Sequence, residues 1–306
     1  MSFSSSRISR RQFIAGSTMA LVASRLQAAE RLASAPESRF KIIGFIKPFQ
    51  SLPFDEVADI AREIGWDGIE CPLRKDGTIE PEQVEDRLPK LTEALRKRSL
   101  ELTVIATDVE DATNPAGVRV LRTASKLGIR RYRLAHFRYD LDKPIPPQIE
   151  NFTAKLRDLS QLNKELNLQG TIQNHSGANY VGAPVWDIWE MIRGLDPKRM
   201  GAYFDIGHAT LEGGYSWPTQ AKLMEPFLAV VSVKDFRWQS KQGWEAEWCP
   251  IGDGAVRPQF FGFLKKTSFT GPISMHFEYP LGKGKEMIAA MRKDLTVLRK
   301  WIGEPA

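Results

Sequence analysis

The chain has little of the chemistry that declares itself in a sequence. Among 306 residues only two are cysteines, Cys71 and Cys249, so no disulfide framework holds the fold and both thiols are expected free. There is no Cys-x-x-Cys and no His-Glu-x-x-His, which leaves no local signature of a dithiol or a helical zinc site. No Gly-x-Gly-x-x-Gly turn follows the first strand-like run, which argues against an open dinucleotide-binding sheet. Charge of one sign is also not concentrated anywhere. The formal net charge is +6, but lysine and arginine are scattered and no basic run interleaves with aromatics, so no nucleic-acid partner is implied. The excess modestly favours an anionic substrate. Histidine is scarce as well, with four in the chain.

The N-terminus carries a targeting pattern. Ser9-Arg10-Arg11-Gln12-Phe13-Ile14 reads as a twin-arginine signature, and Phe13 to Val22 is a mildly apolar stretch too short to span a membrane. Leu26-Gln27-Ala28 offers a small-residue cleavage site. Residues 1–28 are therefore expected to be a leader for the twin-arginine translocase, residues 29–39 a linker, and the mature protein periplasmic or otherwise exported.

From Phe40 onward strand-like runs alternate with helical periodicity. The expected strands are Lys41–Phe45, Gly68–Cys71, Leu100–Ala106, Ile129–His136, Leu168–Asn174, Met200–Asp205, Leu228–Val233 and Ile273–Phe277. The expected helices are Phe54–Ile64, Pro81–Lys97, Ala116–Leu127, Ile145–Leu166, Trp186–Ile192, Trp217–Met224, Pro258–Lys266 and Lys285–Trp301. Phe236 to Asp253, with three tryptophans, reads as a long loop. With 42% hydrophobic residues, residues 40–306 can bury a large core, and the strand-helix count predicts a single-domain (β/α)8 TIM barrel of the α/β class.

In such a barrel the C-terminal strand ends converge on one mouth. His136, His175, His208 and His276 all fall at expected strand ends, which points to one shared site. Strand alternation puts Gln173 with His175, Ser232 with Lys234, and Ser274 with His276 and Glu278. Asp205 and His208 lie three residues apart where strand six ends, and the plainer alternative is that Asp205 caps a turn by accepting loop N–H groups. Glu70, ending strand two, is a further candidate acid or a rim ion-pair partner. Trp238, Trp244 and Trp248 supply flat apolar surface of the kind that stacks on sugar rings, or that packs a loop or a dimer contact. Tyr180, Trp186 and Trp217 either add to that lining or belong to the core.

Five segments carry a family resemblance: Gln173-Asn174-His175-Ser176-Gly177, Phe204-Asp205-Ile206-Gly207-His208-Ala209, Val233-Lys234-Asp235-Phe236, Pro250-Ile251-Gly252-Asp253-Gly254 and Gly271 through Tyr279. With these the chain resembles the xylose isomerase-like TIM barrels, the sugar phosphate isomerase/epimerase superfamily, and looks most like its exported branch. The resemblance implies a divalent metal held by Glu, Asp, His and Glu, which here fall on Gln173, Asp205, Ser232 and His276. It also implies a substrate-binding histidine, His208. A shifted site using Asp205, Gln173, His175 and His276 would suit Zn²⁺, Mn²⁺ or Co²⁺ better than Mg²⁺. The expected activity is an isomerase or epimerase acting by proton transfer next to a carbonyl of a sugar or keto-sugar. The catalytic candidates are His175, His276, Lys234 and Glu278, and the substrate-binding candidates are His208, Glu70, His136, Gln173, Trp238 and Trp248. The alternatives are a 3-keto-glycoside lyase or hydratase on the same fold, and a non-catalytic sugar-binding barrel. A homo-oligomer is compatible with the surface helices.

Overall fold

A computed structural model describes residues 39–240 and 243–304. The expected leader and linker lie outside the described residues except for Arg39. No helix among the described residues is long and apolar enough to cross a membrane. Residues 40–306 form one compact unit.

Eight parallel strands close into a barrel. They are β1 (Ile42–Phe45), β2 (Gly68–Leu73), β3 (Glu101–Thr107), β4 (Arg131–Arg133), β5 (Gln169–Gln173), β6 (Met200–Asp205), β7 (Leu228–Val233) and β10 (Ile273–Met275). Each pairs with its predecessor in the chain, and β10 pairs with β1 to close the ring. The helices packed around it are α1 (Phe54–Ile64), α2 (Val84–Arg96), α3 (Pro115–Lys126), α4 (Ile145–Leu166), α5 (Trp186–Ile192), α6 (Ile206–Gly213), α7 (Trp217–Met224), α8 (Gln259–Leu264) and α9 (Lys285–Ile302). Strands such as β1 and β7 read as nearly continuous apolar runs because each is covered on its outer side by helices and on its inner side by other strands, whereas β4 and β5 carry polar residues. In α1, Val57, Ala58, Ala61 and Ile64 are the buried stripe, at helical spacing.

The hydrophobic residues separate into two bodies. A large outer cluster lies between strands and helices, and a small one of Ile43, Val104, Tyr203 and Val230 plugs the barrel's interior. Tyr203 therefore has its ring in the plug, while its hydroxyl meets the polar groups above it.

Three expectations are corrected. The Trp-rich segment is an antiparallel hairpin, β8 (Asp235–Ser240) with β9 (Gly243–Cys249), in which Phe236 pairs with Trp248 and Trp238 with Ala246. The alternation Phe236, Trp238 and Trp244, Ala246, Trp248 is a strand signal. Secondly, the chain after β6 turns directly into α6. A short helix with two glycines has weak propensity, and burial of Ile206, Gly207, His208, Ala209 and Thr210 holds it in place. Thirdly, β4 stops at Arg133 and β10 at Met275, so His136 and His276 stand in the connections above the strands.

Candidate active site at the barrel mouth

The register sets the floor of the site. Ser232 is level with both Asp205 on β6 and Ser274 on β10, and Gln173 is level with Tyr203. Side chains two residues apart on each strand face the same way, so Tyr203 and Asp205 both enter the mouth.

Glu70 does not end its strand as expected: it is fully buried as the third of the six residues of β2, which runs on to Leu73. Its Oε2 accepts from Tyr203 Oη at 2.5 Å, from Ser274 Oγ at 2.6 Å and from His276 Nε2 at 3.1 Å. Arg133 Nε lies 3.4 Å from Oε1. Burial raises the carboxyl pKa, but His276, Arg133 and the Ser274 hydroxyl outweigh it and hold the group down at about 2. Glu70 is thus an ionised acceptor, and His276 Nε2 carries the hydrogen between them.

Arg133 is donor-only, and this fixes the orientation of its neighbours. Its Nη1 donates to Gln173 Oε1 and reaches His136 Nε2 at 3.3 Å. The Gln173 amide nitrogen must then face the other way, towards Asp205 Oδ2 at 3.0 Å and Ser232 Oγ at 3.4 Å. His136 Nε2 must be the bare, accepting nitrogen. Burial first, then Arg133, His175 and His208, push the His136 pKa far below the usual imidazole range.

Asp205 combines the two roles the sequence left open. As N-cap of α6 its Oδ1 accepts from the His208 backbone N–H at 2.9 Å. Its Oδ2 faces Gln173 and, at 3.6 Å, the Lys234 ammonium. Asn174 clamps its backbone in both directions, donating to Asp205 O at 2.9 Å and accepting from Asp205 N at 2.7 Å. Burial opposes ionisation, yet Lys234, His208 and His276 draw the carboxyl well below the usual range. Gly207 lets α6 approach Lys234: a Cβ there would lie 2.8 Å from the Lys234 Cγ.

One wall of the mouth is a row of rings. Tyr180 stacks on His175 at 4.4 Å between centroids, His175 meets His208 at 4.0 Å, and His208 meets Trp248 edge-on at 5.5 Å. His136 packs edge-on against His175 at 4.6 Å. Lys234 Nζ sits 4.7 Å over the Trp248 ring, and Arg138 covers the far face of the row at Tyr180. His208 Nδ1 bonds Ser176 Oγ at 2.7 Å, while its buried Nε2 has no hydrogen-bond partner and lies 3.9 Å from Asp205 Oδ2. His175 Nδ1 bonds the Ser176 carbonyl at 2.9 Å. A carbonyl only accepts, so the hydrogen is on Nδ1 and Nε2 keeps its lone pair. Burial, opposed by that bond and reinforced by Lys234, brings the His175 pKa down to about 4. Glu278 closes the opposite side at the rim, 4.0 Å from Lys234 Nζ and 3.6 Å from Lys47 Nζ.

The hairpin that carries Trp248 is pinned by Asp235. That carboxylate accepts from the backbone N–H of Phe236 (2.9 Å), Gly252 (3.0 Å), Gly254 (3.0 Å) and Val256 (2.9 Å). A Cβ on Gly254 would fall 2.3 Å from both Asp235 Oδ1 and Phe236 O. The Lys234-Asp235 and Gly252-Asp253-Gly254 motifs are therefore two halves of one clamp.

Ten of the eleven candidates meet at or around the mouth: Glu70, His136, Gln173, His175, Asp205, His208, Lys234, Trp248, His276 and Glu278. Trp238 does not join them. It lines a separate cleft of about 300 Å³ with Tyr215, Trp217, Phe236 and Arg257. Tyr180 belongs to the ring wall, and Trp186 lies largely exposed on α5. Arg133, Tyr203, Asn174 and Ser176 were not singled out. For Tyr203 the signal was present, two residues before Asp205; Arg133 shares its strand with Arg131 and follows Arg130, so the sequence does not set it apart.

The family described as xylose isomerase-like TIM barrel matches residues 58–301. The chain belongs to this family. Solved structures share the fold at low identity. A D-psicose 3-epimerase determined in the presence of D-fructose is 13% identical with a TM-score of 0.65, over 86% of this chain and 100% of that one. A 3-keto-D-glucoside 4-epimerase from E. coli is 16% identical with a TM-score of 0.66, over 85% and 99%. A xylose isomerase-like TIM barrel protein from Mycobacterium smegmatis in complex with magnesium is 14% identical with a TM-score of 0.63, over 86% and 98%. No curated protein matches the chain.

A divalent metal, as the family resemblance implies, does not fit the donors present here. At the position of the first glutamate, Gln173 turns an NH₂ inward, and an NH₂ cannot ligate. Ser232 is a neutral hydroxyl and His276 Nε2 is committed to Glu70, which leaves Asp205 as the one ionised donor. The shifted set of Asp205, Gln173, His175 and His276 is not assembled either. Among the described residues no three His, Cys, Asp or Glu side chains converge to hold a metal ion.

Proposed function

We propose that this xylose isomerase-like barrel is a carbohydrate-modifying enzyme that moves a proton on carbon next to the carbonyl of a sugar or keto-sugar. The observation that carries the reading is His175. Its Nδ1 is committed to a backbone carbonyl, its Nε2 lone pair is free, and it stands at the mouth among aromatic rings with an ammonium nearby.

His175 Nε2 takes the proton of a C–H adjacent to the carbonyl. The C–H electron pair moves into the C–C bond, and the carbonyl π pair moves onto oxygen, giving an enediolate. Lys234 is the donor beside which that oxygen's charge develops. The low pKa of His175 is set first by burial and then by the Lys234 ammonium, which repels a second positive charge. Negative charge on the substrate oxygen offsets this repulsion, so the base strengthens as the transition state forms. Return of the proton from His175 to the former carbonyl carbon, with the adjacent hydroxyl's proton passing to the former carbonyl oxygen, gives an isomer. A proton delivered to the opposite face of the same carbon by the protonated Glu278 carboxyl, with His175 keeping the one it took, gives an epimer. His208, with its unpartnered Nε2, and His136 bind substrate hydroxyls. The His276–Glu70–Tyr203 group lies deeper and holds the floor rigid. The leader pattern of residues 1–28 supports an exported enzyme, for which free sugars and glycosides are the expected substrate pool.

The test is a panel of ketoses, aldoses and 3-keto-glycosides with products read by mass spectrometry and NMR. Turnover of a member, reduced about 10²-fold or more in His175→Gln with the fold intact by circular dichroism, is expected. Saturable binding across the panel with no product from any member would overturn the enzymatic reading in favour of a sugar-binding barrel.

A further inference from the structure

The failed metal fit has a constructive counterpart in the same residues. We propose that Lys234 takes the place of the divalent cation, so that the positive charge facing the substrate oxygen is a built-in ammonium and the centre works with no metal bound.

Position comes first. Lys234 Nζ lies 3.6 Å from Asp205 Oδ2, the one ionised oxygen remaining at the family's ligand positions, and 4.0 Å from Glu278 Oε1. The side chain is buried and held on several sides. Its ammonium rests over the Trp248 ring at 4.7 Å, and its stem passes the bare face of Gly207, where a Cβ would come to 2.8 Å. A surface lysine has no such cradle.

Charge points the same way. The two fully buried carboxylates of the mouth, Glu70 and Asp205, each face one buried cation, Arg133 at 3.4 Å and Lys234 at 3.6 Å. The four charges cancel. A divalent ion beside Asp205 would add two positive charges next to Lys234, with the half-exposed rim carboxylate of Glu278 the one further anion beside that ammonium. The substitutions are coordinated with this arrangement. Gln173 is turned by Arg133 so that it donates to Asp205 instead of competing with it for a cation, and Ser232 receives the same amide. Replacement of an anionic, metal-ligating set by neutral groups, together with a buried ammonium, is electrostatically self-consistent. Either change alone would leave an unpaired buried charge.

This inference rests on the mouth being the reacting site, but its test needs no substrate. Full-length protein is dialysed against Mn²⁺, Mg²⁺, Co²⁺ and Zn²⁺ in turn, and bound metal is measured by elemental analysis, with Mn²⁺ affinity read by electron paramagnetic resonance of the free ion. No stoichiometric ion and an unchanged melting midpoint with metal or chelator are expected. One ion per chain held at micromolar concentration and lost in Asp205→Ala would overturn the proposal. In the opposite direction, the triple variant Gln173→Glu, Ser232→His, Lys234→Met is expected to bind Mn²⁺ at least 100-fold more tightly than the wild type. A folded triple variant with no gain would refute the assignment of these residues as the ones that replaced the metal. Should the variant not fold, the wild-type dialysis still decides. A tight metal would overturn the ammonium's role and leave proton transfer standing, whereas absence of any sugar product would do the reverse.

Discussion

Glu70 and His276 are 206 positions apart in the chain and meet at 3.1 Å in the barrel mouth, with Phe45 of β1, the strand between theirs, stacked on the imidazole at 4.8 Å. The pair fastens β2 to the end of β10 across β1, and through Tyr203 it reaches the plug of the barrel. Replacing Glu70 by Gln leaves Arg133 buried without its carboxylate. A loss of about 3–5 kcal/mol in stability is expected, read from the denaturant midpoint. Ser274→Ala removes one bond to the same carboxylate and is expected to cost about 1.5–3 kcal/mol. If both variants match the wild type, the buried ion-pair account fails.

Acid is expected to weaken the fold through the imidazoles. His175, His136 and His208 are all held below the ordinary value of 6.5, His175 at about 4, by burial above all. In the unfolded chain they take up protons near 6.5. The folded state binds fewer protons below that value, so their contribution to stability is lost as pH falls below about 6.5, for His175 down to about 4. Asp294 acts oppositely. Burial raises it to about 6, so it favours the folded state less as pH rises from about 4 to about 6. The melting midpoint of His175→Gln should therefore fall less steeply over this window than the wild type's, and that of Asp294→Asn more steeply. Parallel curves for all three proteins would contradict the account.

The two tryptophans of the hairpin are expected to separate. Trp248→Ala removes a ring that touches His208 and underlies Lys234, and an increase in KM of roughly tenfold is expected from a contact of this kind. Trp238→Ala alters the other cleft and should leave KM within about twofold. Equal effects would mean that the hairpin acts as a unit and that the ring beside Lys234 has no special part.

Asp235→Ala removes four N–H acceptor contacts at once and is expected to cost about 3 kcal/mol or more, with KM raised because Trp248 loses its support. Gly254→Ala should reproduce the effect from the other half of the clamp, since its Cβ has no room. Hydrogen exchange on the hairpin would report either change. Unaltered protection in both variants would contradict the clamp.

Most of the barrel was legible because its signals are local. Apolar runs and helical stripes such as Val57, Ala61 and Ile64 follow from neighbours in the chain. The hairpin reads as a loop although Phe236, Trp238, Ala246 and Trp248 alternate, because its two strands pair only with each other and have no place in the strand-helix rhythm of the barrel. Helix α6 had no signal of its own; it exists because Asp205 caps it and the barrel buries it. The convergence of four histidines was legible from strand ends alone. What those ends cannot give is orientation. That Gln173 turns its nitrogen to Asp205 depends on Arg133, 40 positions away, and no spacing rule connects the two. The Lys234–Asp205 pair likewise exists only once β6 and β7 lie side by side.

The central claim is proton exchange at carbon, and the most direct measurement is incubation of the enzyme with a converted keto-sugar in D₂O, followed by NMR of substrate and product. Deuterium at the carbon next to the carbonyl, with the rate reduced about 10²-fold or more in His175→Gln, is the predicted result. Conversion with no solvent deuterium at that carbon, or undiminished exchange in the variant, would contradict it.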